Sequence, residues 1–252
     1  MIVHHVVTGP ADAPPLILSN SLGADLRMWD AQAEELAERF RLVRYDTRGH
    51  GGSTVPDGPY TIDHLGQDLL ALLDHLEIER AHFAGLSLGG MTGLWLAVHA
   101  PERLLRLALL STSAQLGPPE TWRERAQTVR AQGTEAVADA GVGRWLTAGF
   151  REAHPGTAAW LRDMIAATPD AGYAAACAVI EHMDLTAGLA GIPAPTLVIA
   201  GAQDPATPPE HAERIVAAIP QARLEVLDPA AHLANVEQPE AVTRLILEHL
   251  EA

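Results

Sequence analysis

The chain is poor in cysteine, in cationic residues and in aromatics. Cys177 is the lone cysteine among 252 residues, which rules out an internal disulfide and fits a reducing compartment. Lysine and arginine together number 17 against 32 acidic residues, and the resulting net charge of −15 repels nucleic acid and anionic membranes. No run of basic residues reverses that field locally. No apolar stretch reaches the length of a membrane span, and residues 1–7 lack the basic start and apolar core of an export signal. A cytoplasmic protein with no membrane or nucleic-acid partner is expected. No His-x-His-x-Asp-His run offers a metal site, and the adjacent His4 and His5 would face opposite sides of a strand. Neither a metal nor a cofactor is expected.

With 48% hydrophobic and 19% charged residues, the chain suits a single domain with a sizeable core. Short β-branched or apolar runs at 2–7, 16–20, 42–46, 81–86, 104–110, 195–201 and 223–227 have strand character. Helical patterns separate them, from Trp29 to Arg39, Thr61 to Leu76, the residues after Ser87 to Pro101, Pro208 to Ile219 and Pro239 to Glu251. In the second of these, Ile62, Leu65, Leu69, Leu72, Leu73 and Leu76 share one face, with Asp63, Asp68 and Asp74 on the other side. Such alternation predicts an α/β architecture, a mostly parallel sheet covered by helices on both faces. The rhythm breaks between Gln115 and Gly191, where four helices are expected over Trp122–Gln132, Thr134–Phe150, Thr157–Ala167 and Gly172–Met183. Residues 1–114 and 192–252 therefore form the expected core, and 115–191 a helical cap inserted over the strands' C-terminal edge.

The stretch Gly85-Leu86-Ser87-Leu88-Gly89-Gly90 places a serine on a strand-to-helix turn whose small neighbours let the two elements approach. The backbone N–H of Leu88, at the helix start, is an expected oxyanion donor. A serine hydroxyl needs a base, and the base an orienting carboxylate. Asp204 and His232 follow in the order nucleophile, acid, histidine, each just past the C-terminal end of an expected strand. Asp228, four residues before His232, is the rival acid. Asp46, Arg48 and His50 in the glycine-rich loop after the third strand are expected to tie loops together.

Asp46-Thr47-Arg48-Gly49-His50-Gly51-Gly52-Ser53, the Ser87 turn, Gly201-Ala202-Gln203-Asp204 and Ala231-His232 resemble the α/β-hydrolase superfamily over nearly the whole chain. Residues 19–29, Gly58-Pro59-Tyr60-Thr61-Ile62, Arg144-Trp145 and residues 232–239 look more closely like the 3-oxoadipate enol-lactonases of aromatic catabolism. That resemblance implies the α/β-hydrolase fold with seven or eight strands, a small anionic lactone as substrate, and hydrolysis in the β-ketoadipate pathway. It also implies that the N–H of Leu22 is the second oxyanion donor. A carboxylate-bearing substrate in so acidic a chain needs a local cation, and Arg144 beside Trp145, with Trp122 as a further wall, is the expected contact. Another esterase or lactonase of the same fold, or a ligand receptor built on it, remains an alternative at this point.

Overall fold

In the computed structural model, which describes residues 1–252, seven of the apolar runs pair into one sheet. The strands are β1 (His5–Thr8), β2 (Pro15–Ser19), β3 (Arg41–Tyr45), β4 (Ala81–Leu86), β5 (Leu104–Leu110), β6 (Thr196–Gly201) and β7 (Ala222–Leu227). Their order is β1-β3-β2-β4-β5-β6-β7, parallel throughout except for β1, which runs antiparallel to β3. Seven is the smaller of the two expected strand numbers. The helices are α1 (Asp30–Ala37), α2 (Ile62–His75), α3 (Leu88–His99), α4 (Pro119–Gln132), α5 (Glu135–Trp145), α6 (Ala148–Ala153), α7 (Pro155–Ala166), α8 (Asp170–His182), α9 (Pro209–Ala218), α10 (Ala234–Glu237) and α11 (Pro239–Leu250). None is long and apolar enough to cross a membrane.

The central strands are apolar on both sides because both sides are covered. Leu16, Leu18, Ala84, Leu86, Ala108 and Leu110 point into one core layer with α1 and α11, while Ile17, Phe83, Leu107 and Leu109 point into the other with α2, α3 and α9. The first layer continues without a break into α4, α5, α7 and α8.

The acidic stripe of α2 is not uniformly the solvated face that its spacing suggests. Asp68 is buried and receives Arg48 through two bonds, Nε to Oδ2 at 2.6 Å and a terminal nitrogen to Oδ1 at 2.8 Å. Asp63 accepts the indole N–H of Trp95 at 2.7 Å. Asp63 and Asp74 are themselves exposed, and Asp74 pairs with Arg103 at 2.8 Å. Each acid of the stripe is thus engaged by another element, and through the buried Asp68 the Arg48 guanidinium anchors the loop after β3 to α2. Asp46 joins the same loop to its surroundings, accepting the N–H of Leu26 at 2.7 Å, that of Gly52 at 2.8 Å and His4 Nδ1 at 2.7 Å.

Between β5 and β6 the chain forms five helices rather than the expected four. The pattern over 134–150 breaks at Leu146, which is extended at φ −125°, ψ 144°, and Thr147 opens α6 by accepting the N–H of Phe150 at 3.3 Å. A threonine that can cap ends one helix and starts the next, a choice that periodicity alone does not register. Cys177, in α8, is wholly buried, and burial pushes its thiol up to about 12. The inserted helices are tied down on several sides. Tyr60 N–H donates to the Ala175 carbonyl at 3.2 Å, the Thr168 hydroxyl to the Gly23 carbonyl at 3.3 Å, and Leu185 N–H to the Ala114 carbonyl at 2.9 Å.

The contrast between the two aspartates is measurable. Asp68→Asn leaves the Arg48 guanidinium buried without a counter-charge and should lower the unfolding free energy by about 3–5 kcal/mol in urea melts. Asp74→Asn removes an exposed pair and should cost about 1 kcal/mol or less.

Candidate active site

β4 ends at Leu86, α3 begins at Leu88, and Ser87 between them adopts φ 57°, ψ −114°, a conformation that an L-residue holds only under constraint. Its N–H donates to the Leu110 carbonyl at 2.9 Å, and its own carbonyl accepts the Thr112 hydroxyl at 2.7 Å and the Met91 N–H at 2.9 Å. The turn closes this tightly because its glycines lack side chains. A Cβ on Gly85 would meet the Gly89 carbonyl, and one on Gly89 would meet the Ser19 carbonyl. The start of α3 thus lies against the ends of β2 and β4. Leu88, the first residue of α3, has no carbonyl one turn back within the helix to receive its N–H. The N–H of Leu22, just after β2, donates to no other group of the protein.

Asp204 lies in the loop after β6. Its Oδ1 accepts the N–H groups of Ala206 and Thr207 at 2.8 and 3.1 Å, and its Oδ2 accepts the Thr207 hydroxyl at 2.8 Å and His232 Nδ1 at 2.8 Å. Burial alone would raise this carboxyl, but the charge and hydrogen bond of His232 and the bonds from Thr207 outweigh it and hold it below the usual carboxylate range. Asp228 contacts Gln203 Nε2 at 3.3 Å and makes no bond to His232. With Nδ1–H given to Asp204, the imidazole keeps Nε2 as its acceptor. The Gln203 N–H to Ala230 carbonyl bond, 2.8 Å, links the loops that carry the acid and the histidine.

Ser87 and His232 line one narrow cavity of about 40 Å³ together with Leu22. The inserted helices contribute Trp122, Arg144 and Trp145, all three expected from the sequence, and also Arg125, which was not. Arg125 stacks on Trp122 with its Cζ 4.4 Å from the ring centroid. Arg144 is partly buried, and burial together with the charge of Arg125 pulls its guanidinium below the ordinary value. Neither arginine forms an ion pair, whereas Arg123, two residues before Arg125, takes Glu181 at 2.7 Å. Two guanidiniums that face one cavity without a carboxylate between them are chemically able to receive an anion. The available signal for Arg125 was its i, i+3 spacing from Trp122, which sets both on one face of α4. Chemically, the arrangement offers a hydroxyl, an oriented imidazole, unpaired N–H groups at the ends of β2 and β4, and a cationic, aromatic wall.

A family model described as alpha/beta hydrolase fold matches residues 14–239. A protein of Acinetobacter baylyi named 3-oxoadipate enol-lactonase 2 is 43% identical over 244 residues, covering 97% of this chain and 91% of its own. Among solved structures, the enol-lactonase from Burkholderia xenovorans LB400 superposes with a TM-score of 0.97 at 44% identity, over 99% of this chain and 96% of its own. A thermophilic esterase from Thermogutta terrifontis, with malate bound, superposes at 0.93 with 34% identity over 99% and 93% of the two chains.

The acid's environment makes a prediction about stability. A carboxyl whose folded pKa is depressed adds stability above its unfolded pKa, and that contribution is lost as the pH falls through the depressed value. Wild type should therefore exceed Asp204→Asn in urea midpoint at neutral pH, and the gap should close in strong acid. Asp228→Asn, which loses only a 3.3 Å contact with Gln203, should keep the wild-type midpoint at neutral pH.

Proposed function

The chain belongs to the α/β-hydrolase family, and from that premise we propose that it opens 3-oxoadipate enol-lactone to 3-oxoadipate in the β-ketoadipate pathway of aromatic degradation. Residues 1–114 and 192–252 serve as the hydrolase core in this reading, and 115–191 as the cap that roofs the cavity. The observation that carries it is the meeting, in one cavity, of Ser87 and His232 with two arginines that no acid neutralises. A lactone with an acetate arm matches both ends, its ring carbonyl at the serine and its carboxylate at Arg144 and Arg125. The name of the Acinetobacter relative supports the same substrate, and the malate bound by the Thermogutta esterase is a carboxylate ligand on a similar fold.

Ser87 Oγ attacks the ring carbonyl carbon while His232 Nε2 takes the hydroxyl proton. The N–H groups of Leu22 and Leu88 receive the oxyanion, and Asp204 holds the imidazolium that forms. Collapse breaks the ring C–O bond and releases an enolate, a better leaving group than an alkoxide, which takes the proton from His232 and tautomerises to the ketone. Water, deprotonated by His232, then attacks the acyl-enzyme. The serine regains its proton, and 3-oxoadipate leaves with a second carboxylate that the substrate lacked. Trp122 and Trp145 flank the ring and keep bulk water from the reacting carbonyl.

The second reading, a general esterase of the same fold, is favoured by the likeness to the Thermogutta enzyme. Turnover of purified protein on the enol-lactone and on a small neutral ester separates the two, because a lactonase prefers the charged lactone by a wide margin in kcat/KM.

Ser87→Ala should lower kcat on the lactone by about a thousandfold or more with the circular-dichroism spectrum unchanged. Retention of a tenth of the activity would remove Ser87 as nucleophile. Arg144→Ala and Arg125→Ala should each raise KM for the lactone about tenfold, because a charge-assisted hydrogen bond is worth roughly 1.5–3 kcal/mol, and should spare the neutral ester. Equal losses on both substrates would assign these arginines to support of the cap instead.

A further inference from the structure

One chain neighbour of His232 is held directly by the end of α5, and the other by Glu237, which is itself bonded to the start of α6. The N–H of Leu233 donates to the Trp145 carbonyl at 2.9 Å. The N–H of Ala231 donates to Oε2 of Glu237, and Oε1 of the same carboxylate accepts the N–H of Thr147 at 2.9 Å and its hydroxyl at 2.7 Å. Glu237 closes the single turn of α10, where its own N–H and that of Val236 both go to the Leu233 carbonyl at 3.1 and 2.9 Å. Its side chain thus reaches back across that turn to the residue before the histidine, and outward to the residue that caps α6.

The donors demand a carboxylate. Two backbone N–H groups and one hydroxyl converge on Glu237, with no cation among them. The Thr147 hydroxyl already accepts the Phe150 N–H at 3.3 Å, so its single proton is directed to Glu237. A glutamine of the same shape has one acceptor oxygen, and its amide nitrogen would confront one of these donors with another donor.

We propose that Glu237 is a positioning residue for His232, fixing the backbone that carries the imidazole and locking it to the stretch that presents Arg144 and Trp145 to the cavity. Asp204 controls the ring through Nδ1 but reaches nothing on the backbone of the His232 loop. Glu237 and the Trp145 carbonyl supply that second restraint, one on each side of the histidine. The proton passes between Ser87 Oγ and His232 Nε2, and a displacement of about 1 Å at such a transfer costs on the order of a hundredfold in rate. The inference rests on His232 being the base in the proposed reaction.

The test is Glu237→Gln, assayed on the enol-lactone and on a small neutral ester, with active sites counted by complete phosphonylation of Ser87 so that unfolded protein drops out. The expected result is a fall in kcat per site of about tenfold or more on both substrates, with KM little changed, and an equal fall in the rate of phosphonylation. Thr147→Val, which keeps the backbone N–H and loses the hydroxyl as donor to Glu237 and as cap for Phe150, should lose kcat in the same direction by less, and the double variant should lose no more kcat per site than Glu237→Gln alone. If Glu237→Gln does not fold, the Thr147→Val result carries the test. A lower melting temperature with wild-type kcat per site would make Glu237 a structural residue and overturn the proposal. His232→Ala is the control on its premise. Phosphonylation of His232→Ala at the wild-type rate would overturn the base and the proposal together. Loss of labelling in His232→Ala alongside wild-type kcat in Glu237→Gln would overturn the proposal alone.

Discussion

Backbone rests on backbone where α3 leaves β4, and that contact fixes the geometry above it. Because Gly89 and Gly85 offer nothing larger than hydrogen, the start of α3 presses against the Ser19 carbonyl and the end of β4, with the positive end of its dipole beside the strained serine. β5 completes the restraint through the Leu110 carbonyl and the Thr112 hydroxyl. Parallel strands then do the rest, since they bring the ends of β2, β4 and β6 to one edge and so deliver Leu22, Ser87 and Asp204 to neighbouring points. The chemistry is distributed over two hundred residues of sequence and concentrated by sheet direction.

Charge is distributed with the same economy. The chain contains no lysine, so all 17 of its basic residues are arginines. Several are consumed by acids, Arg48 by Asp68 and Arg123 by Glu181 among them. Those at the cavity are left unpaired within a protein of net charge −15, and the charge of Arg125 bears on Arg144 with no acid between them. A guanidinium keeps its proton at neutral pH, so the charge at this wall of the cavity is permanent.

Much of this was legible in the chain itself. The strand positions followed from β-branched runs, the Ser87 turn from its glycines, and the approach of Asp204 to His232 from their places after strands. What was hidden depends on partners distant in sequence. Asp68 has the spacing of a solvated helix residue, and only the position of Arg48 buries it. Arg125 lies among Arg123 and Arg130 on a helix that looks uniformly polar, and a missing acid is visible only once the neighbouring helices are in place. Glu237 receives its donors from residues 147 and 231, a convergence that no local pattern encodes. The break at Leu146 has the same origin, because Thr147 is drawn into that contact as it caps α6.

The burial of Cys177 has a practical side. A thiol that is wholly enclosed and holds its proton up to about 12 does not react with maleimides or methanethiosulfonates at neutral pH. The natural protein is therefore already a cysteine-silent background for labelling. A cysteine introduced at exposed Gln127, on the outer side of α4, and a second on the sheet's far side would be the only sites such reagents reach. Spin labels or dyes at that pair would measure the distance between α4 and the sheet with and without ligand, with every native residue elsewhere in place.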